Sequence, residues 1–156
     1  MIGRLFTPVQ DLQKVANLWY NGYMEKKYRH TATTVSMVNY HFVFCPRYRR
    51  KIFLIDGLET RFKELVNQIC KQNEIEILAM ECHIDHCHLF VNAPPTLSPA
   101  DIMKLVKGTT GSILKKEFFT SANTRVWTRS YFVSTAEDVS SATIERYVKE
   151  QKTRGG

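Results

Sequence analysis

No apolar stretch in this 156-residue chain approaches the ~20 consecutive residues that cross a bilayer, so a membrane-spanning helix is not expected. The first residues, Met1-Ile-Gly-Arg-Leu-Phe6, lack the apolar core and small-residue cleavage site of a secretory signal, which points to a cytoplasmic protein. Four cysteines at positions 45, 70, 82 and 87 form no CxxC pair and no disulfide-framework spacing. Cys45 and Cys70 sit in apolar stretches and read as buried thiols in a reducing compartment. Acidic residues are in short supply: 15 against 22 lysines and arginines, a net charge of +7 that favours a polyanionic partner, most often nucleic acid. What is present is ordinary globular material, 44% hydrophobic, in a length suited to one domain with a proper core.

Residues 1–34 read as an N-terminal helical extension and linker. Val9, Leu12, Val15, Ala16, Trp19 and Tyr23 recur at helical spacing after Pro8, and Glu25–His30 is charged. Val35–Phe44 is a strand candidate rich in β-branched and aromatic residues, ended by Pro46. Leu58, Phe62, Leu65, Val66 and Ile69 give one helical stripe over 58–73. Residues 74–80 alternate as a second strand, a turn at Ile84-Asp85 follows, and 86–92 form a third. Ser98-Pro99 opens a helix through about Phe118, with a bend expected at Gly108 and Gly111 and with Lys104, Lys107, Lys115 and Lys116 in water. Val126–Ser134 is a fourth strand, and Ser141–Gln151 a last helix. From residue 35 the order is β-α-β-β-α-β-α. The expected fold is therefore α+β: a ferredoxin-like or RNA-recognition-like split βαβ sandwich with an extra C-terminal helix. Residues 35–152 form the domain and 153–156 a tail.

His86 and His88 stand two apart in a strand, which turns both imidazoles to one face and Cys87 to the other. Two neutral nitrogen donors on one rigid face make half of an open metal site. Plain polar alternation on a half-buried strand, or a structural zinc site using Cys82, His83, His86 and His88, are the alternative readings. On the last helix Tyr147 and Gln151 lie four apart on one stripe with Ile144 and Val148. A core tyrosine there is unremarkable, whereas a primary amide on a buried stripe needs partners for its polar atoms.

At these residues the chain resembles the HUH-type single-tyrosine transposases of the insertion-sequence 200/605 family. Three blocks carry the likeness: Tyr40–Lys51, resembling the opening strand and basic turn; Asp85–Val91, resembling the histidine–hydrophobic–histidine motif with Cys87 as its middle residue; and Ser130–Thr135 followed by Thr143–Gln151, resembling the nucleophile block. Ala136-Glu-Asp138 stands where family members often carry glycine. The resemblance implies that Tyr147 attacks a phosphodiester of single-stranded DNA to give a 5′-phosphotyrosine. His86, His88 and Gln151 would hold a divalent metal, Mg²⁺ or Mn²⁺, against the scissile phosphate. It also implies a DNA substrate with subterminal hairpins, a nucleoid-associated protein when DNA is bound, and a homodimer. An exposed, apolar first strand would suit edge-to-edge pairing of that dimer. DNA contacts are expected from Arg47, Tyr48, Arg49, Arg50, Lys51, Lys104 and Lys107, with Lys115 and Lys116 in support. A related HUH nickase acting on hairpin repeats would use the same residues. A non-catalytic RNA-recognition-type module would place aromatics where His86 and His88 stand.

Overall fold

The computed structural model describes residues 28–121 and 123–135. Most of the N-terminal extension, and the whole terminal helix with Tyr147 and Gln151, lie outside the described residues. Within them the elements are β1 (Arg29–His30), β2 (Val35–Ser36), β3 (Val38–Phe44), α1 (Leu58–Gln72), β4 (Glu76–Cys82), β5 (Cys87–Ala93), α2 (Pro99–Phe118) and β6 (Phe132–Ser134). The architecture is α+β. β3 to β6 form an antiparallel sheet in the order β4-β5-β3-β6, and α1 and α2 pack against each other.

Alternation along the strands decides what each face carries. Phe42, Phe44, Cys87, Leu89 and Val91 turn to one side and join Phe62, Leu65, Val66 and Ile69 of α1 and Ile102, Val106 and Leu114 of α2 in the core. Phe62 lies at its centre, with ring centroids 6.1, 5.4 and 5.4 Å from Phe44, Phe53 and Trp127. Residues of opposite parity, His41, Val43, His88 and Phe90, are paired across β3 and β5 and occupy the other face. The sheet therefore sorts hydrocarbon to the helices and imidazole to the opposite side.

α2 begins as its sequence dictates. Ser98 Oγ accepts from the Asp101 backbone N–H and the Asp101 carboxylate accepts from the Ser98 N–H, a reciprocal cap of about 1 kcal/mol. The glycines do not interrupt the helix, which is continuous from Pro99 to Phe118. Gly111 serves close packing instead, since a Cβ there would stand 3.2 Å from Cδ1 of the Trp127 indole.

Three further expectations are corrected. The charged linker around Arg29 and His30 is part of a small hairpin with Val35 and Ser36, closed by Thr31, whose hydroxyl accepts from the Thr34 N–H at 3.0 Å. The fourth strand is shorter than Val126–Ser134. Residues 126–128 instead zip onto the end of β3, through Arg47 N–H to Val126 C=O and Thr128 N–H to Cys45 C=O, and the indole of Trp127 turns into the core. The Thr128 hydroxyl then donates to Ser130 C=O before the chain re-enters the sheet at Phe132. Finally, β3 is an interior strand between β5 and β6, with β6 pairing to it at His41, Phe42 and Val43, so it is not the free edge expected.

Candidate metal centre and cationic groove

The β4–β5 hairpin builds the site. Cys82 pairs with Cys87, and the His83 N–H donates to the His86 carbonyl at 2.8 Å, leaving Ile84 and Asp85 as a two-residue turn. That register sets His83 opposite His86 and Glu81 opposite His88 on one face. Cys82 and Cys87 share the other face, their sulfurs 3.8 Å apart in the core. A mixed cysteine–histidine zinc site is thereby excluded for Cys82.

Three imidazoles converge. The His83 and His86 rings stack with centroids 4.4 Å apart, and the His88 ring stands edge-on to both at 5.4 and 5.1 Å. One ligating nitrogen from each lies within 4.8 Å of the others, and all three residues are buried. A buried set of imidazole nitrogen donors suits a divalent transition metal. The cluster can hold such an ion.

Neighbouring groups fix how each ring faces. The Asp85 carboxylate accepts from His86 Nδ1–H at 2.8 Å, which turns Nε2 to the far side of the ring from Asp85. Its other oxygen is ion-paired to Arg49 Nε. Burial works against ionisation of Asp85, but the His86 hydrogen bond and the nearby Arg49 charge outweigh it and lower its pKa. Arg49 reaches Asp85 from a left-handed backbone: Tyr48 and Arg49 have φ of 59° and 51°. Each such residue costs on the order of 1 kcal/mol, strain that the Asp85 contact helps offset.

His88 has its own partner, His41 on β3, with Nε2 of His41 3.1 Å from Nδ1 of His88. His41 is also stacked on Phe90 at 3.9 Å between centroids. Burial lowers the His41 pKa to about 4 and pushes that of His88 well below the ordinary value, so both rings are neutral at pH 7. One ring must then donate. A ligating His88 presents its Nε2 lone pair, carries the proton on Nδ1 and donates to His41 Nε2.

Asp85 and His41 are thus the orienting residues; sequence reasoning weighed Asp85 as a histidine's hydrogen-bond partner but favoured its turn role, and it gave His41 no part. His83 was weighed only for structural zinc. Its part was legible in the hairpin, because a two-residue turn at Ile84-Asp85 sets residues 83 and 86 face to face. Asp85→Asn is expected to weaken Mn²⁺ binding by ~10–100-fold in a calorimetric titration, as loss of a carboxylate behind a histidine ligand does. Unchanged affinity would remove Asp85 from the site.

A groove of about 860 Å³ lies between α2 and residues 123–131. Arg47, Lys104, Lys107, Lys115, Arg125 and Arg129 line it, and among the described residues no carboxylate does. The segment 45–49 links it to the imidazole cluster, bonding to residues 126 and 128 on one side and sending Arg49 to Asp85 on the other. The expected DNA contacts divide accordingly. Arg47, Lys104 and Lys107 line the groove, while Tyr48 and Lys51 are exposed. Arg49 is committed to Asp85, and Arg50 donates to the Arg47 and Arg125 carbonyls.

Lys107 was expected in water but is half-buried, donating to Ser130 C=O at 2.8 Å above the Tyr131 ring. Burial lowers its pKa to about 8. It is therefore charged below that pH and loses its charge above it.

The antiparallel α+β sheet thus carries an HUH-like cluster of three histidines on the face away from the helices, and a cationic groove runs along α2. A sequence profile described as transposase IS200 like matches residues 34–151. The chain belongs to that family. It is 33% identical over 132 residues to the transposase for insertion sequence element IS200 of Salmonella typhimurium, covering 81% of this chain and 83% of that one. It is 28% identical over 123 residues to the ISDra2 transposase TnpA of Deinococcus radiodurans, 75% and 86% of the two chains. A crystal structure of a candidate transposase from Deinococcus radiodurans superposes with a TM-score of 0.71 at 26% identity, covering 79% of this chain and 97% of that one. The structure of a REP-associated tyrosine transposase bound to a REP hairpin shares the fold, with a TM-score of 0.52 at 14% identity over 79% and 68%. Among the described residues no helix is long and apolar enough to cross a membrane.

Proposed function

We propose that this protein cleaves and rejoins single-stranded DNA at the ends of an insertion sequence, with Tyr147 as nucleophile. The observation that carries the reading is the buried imidazole cluster in a chain of the IS200-like family, whose described residues also build a cationic groove lined by no carboxylate among them. The catalytic domain is residues 35–152, in the ferredoxin-like plan extended by the terminal helix. The strand order β4-β5-β3-β6 supports that plan.

The groove cations neutralise phosphates and release counterions, drawing the strand toward the hairpin turn. Tyr147 Oη forms a bond to phosphorus as the P–O3′ bond breaks. The phenolic proton passes, net, to the departing 3′-oxygen, so the products are a 5′-phosphotyrosine and a free 3′-hydroxyl. Because the phosphodiester linkage is exchanged and not hydrolysed, a 3′-hydroxyl can reverse the step without ATP. Bound at His86, His88 and Gln151, Mg²⁺ or Mn²⁺ would offset charge on the scissile phosphate and orient it for in-line attack. Asp85 and His41 keep the ligating lone pairs aimed at that point. We further propose a homodimer and a substrate with subterminal hairpins; sedimentation of an active species as a monomer would contradict the dimer.

End-labelled strands test the chemistry. With single-stranded DNA from the flanks of its own gene and Mn²⁺, a 3′-labelled strand should migrate with the protein on a denaturing gel. A 5′-labelled strand should be released as a shorter fragment. Label transfer of the opposite polarity, or hydrolysis with no linked species, would reject the mechanism.

The Lys107 pKa gives a second expected result. DNA affinity should fall between pH 7 and 9 as this groove cation is lost, with the salt slope reduced by ~0.7 for one phosphate contact on a single strand. Lys107→Met should show the weaker affinity at both pH values. Measured by fluorescence anisotropy, a wild-type affinity flat across that range would remove Lys107 from the contact.

A further inference from the structure

We propose that His83 is a third metal ligand, so that the β4–β5 hairpin alone retains the ion and the Gln151 amide adds to a site already loaded. The inference deepens the functional reading given above and concerns the ligand set, not the reaction.

His83 is placed by the same hairpin that places the other two rings. The bond from its N–H to the His86 carbonyl closes the turn, and its ring stacks on that of His86 within 12° of parallel. It is 3% exposed. Burying an imidazole between two others has no hydrophobic rationale, since three polar rings share a volume that aliphatic side chains would fill at lower desolvation cost. A shared cation accounts for the grouping. His86 and His88 both use Nδ1 for neighbours, His86 with Asp85 and His88 with His41, so each offers Nε2. With one ring nitrogen from each of His83, His86 and His88 within 4.8 Å of the others, one ion can meet three imidazoles.

The chemistry of that set is specific. Three neutral nitrogens bind divalent ions in the Irving–Williams order, placing Zn²⁺ and Co²⁺ above Mn²⁺ and discriminating against Mg²⁺, which prefers oxygen. Mn²⁺ is therefore favoured over Mg²⁺ as the ion the resting protein retains. A two-imidazole site completed only by Gln151 would depend on the terminal helix for retention; a three-imidazole site does not.

The test is a Zn²⁺ and Mn²⁺ titration of the full-length protein against a chromophoric chelator, without DNA. The expected result is one equivalent bound, with affinity lowered at least ~10-fold by His83→Ala and changed less than ~3-fold by Gln151→Ala. Ring ¹⁵N spectra of wild-type protein guard against a misfolded variant: Zn²⁺ should shift one ring nitrogen of each of His83, His86 and His88. Affinity that survives His83→Ala, or a His83 ring signal unmoved by Zn²⁺, overturns the assignment. These readouts need no cleavage. Metal retention by three histidines in a protein that forms no DNA adduct would support this ligand set while rejecting the strand-transfer reading.

Discussion

Replacing Tyr147 with phenylalanine is expected to abolish the covalent DNA adduct while leaving strand binding within about 3-fold of wild type. The substitution removes one oxygen. It keeps the ring, so the loss is chemical. Removing a nucleophile leaves only what binding and electrostatics supply, and cleavage should fall by on the order of 10⁴-fold or more. Retained DNA affinity separates this from unfolding, because the groove cations of α2 and residues 123–131 are untouched. A Tyr147→Phe protein that still links to DNA would assign the nucleophile elsewhere.

The second large effect belongs to the histidines. His86→Ala and His88→Ala should each reduce cleavage by at least ~10²-fold, the scale on which a group stabilising developing charge is lost. Treatment with a chelator should do the same to the wild-type protein. The two variants are expected to differ in stability. His88→Ala leaves His41 without its buried partner at 3.1 Å, an unsatisfied polar group costing about 1–3 kcal/mol. His86→Ala strands Asp85, which keeps Arg49. Melting and adduct yield measured side by side check both statements. Cleavage unaffected by either substitution or by chelation would take the cluster out of the reaction.

Much of this site was readable before any coordinates, and for physical reasons. The His-x-His spacing on a strand fixes both rings on one face whatever the rest of the fold does. The apolar stripe of α1 and the N-cap and first-turn pair Ser98-Pro99 are local, and both elements begin where the sequence puts them. What escaped depends on pairing between segments. His83 required the hairpin register, and His41 required β3 to lie beside β5, which no local pattern specifies. Arg49 looked like one more solvated cation of a basic run, and only the left-handed backbone at residues 48 and 49 carries it to Asp85. Lys107 looked solvated by helical periodicity until residues 128–131 covered it. The short β6 follows the same rule: the composition of 126–134 favours a strand, but Trp127 gains more by joining Phe44, Phe53 and Phe62 than by staying in register.

If Tyr147 and the imidazole cluster act on one phosphodiester, peptide mapping of the DNA-linked protein will reveal it. After reaction with single-stranded DNA and Mn²⁺ and proteolysis, mass spectrometry should find nucleotides attached through a 5′-phosphate to the peptide containing Tyr147. His86→Ala protein should yield no such peptide. Linkage at another residue, or Tyr147 linkage that proceeds equally well without His86, would contradict it.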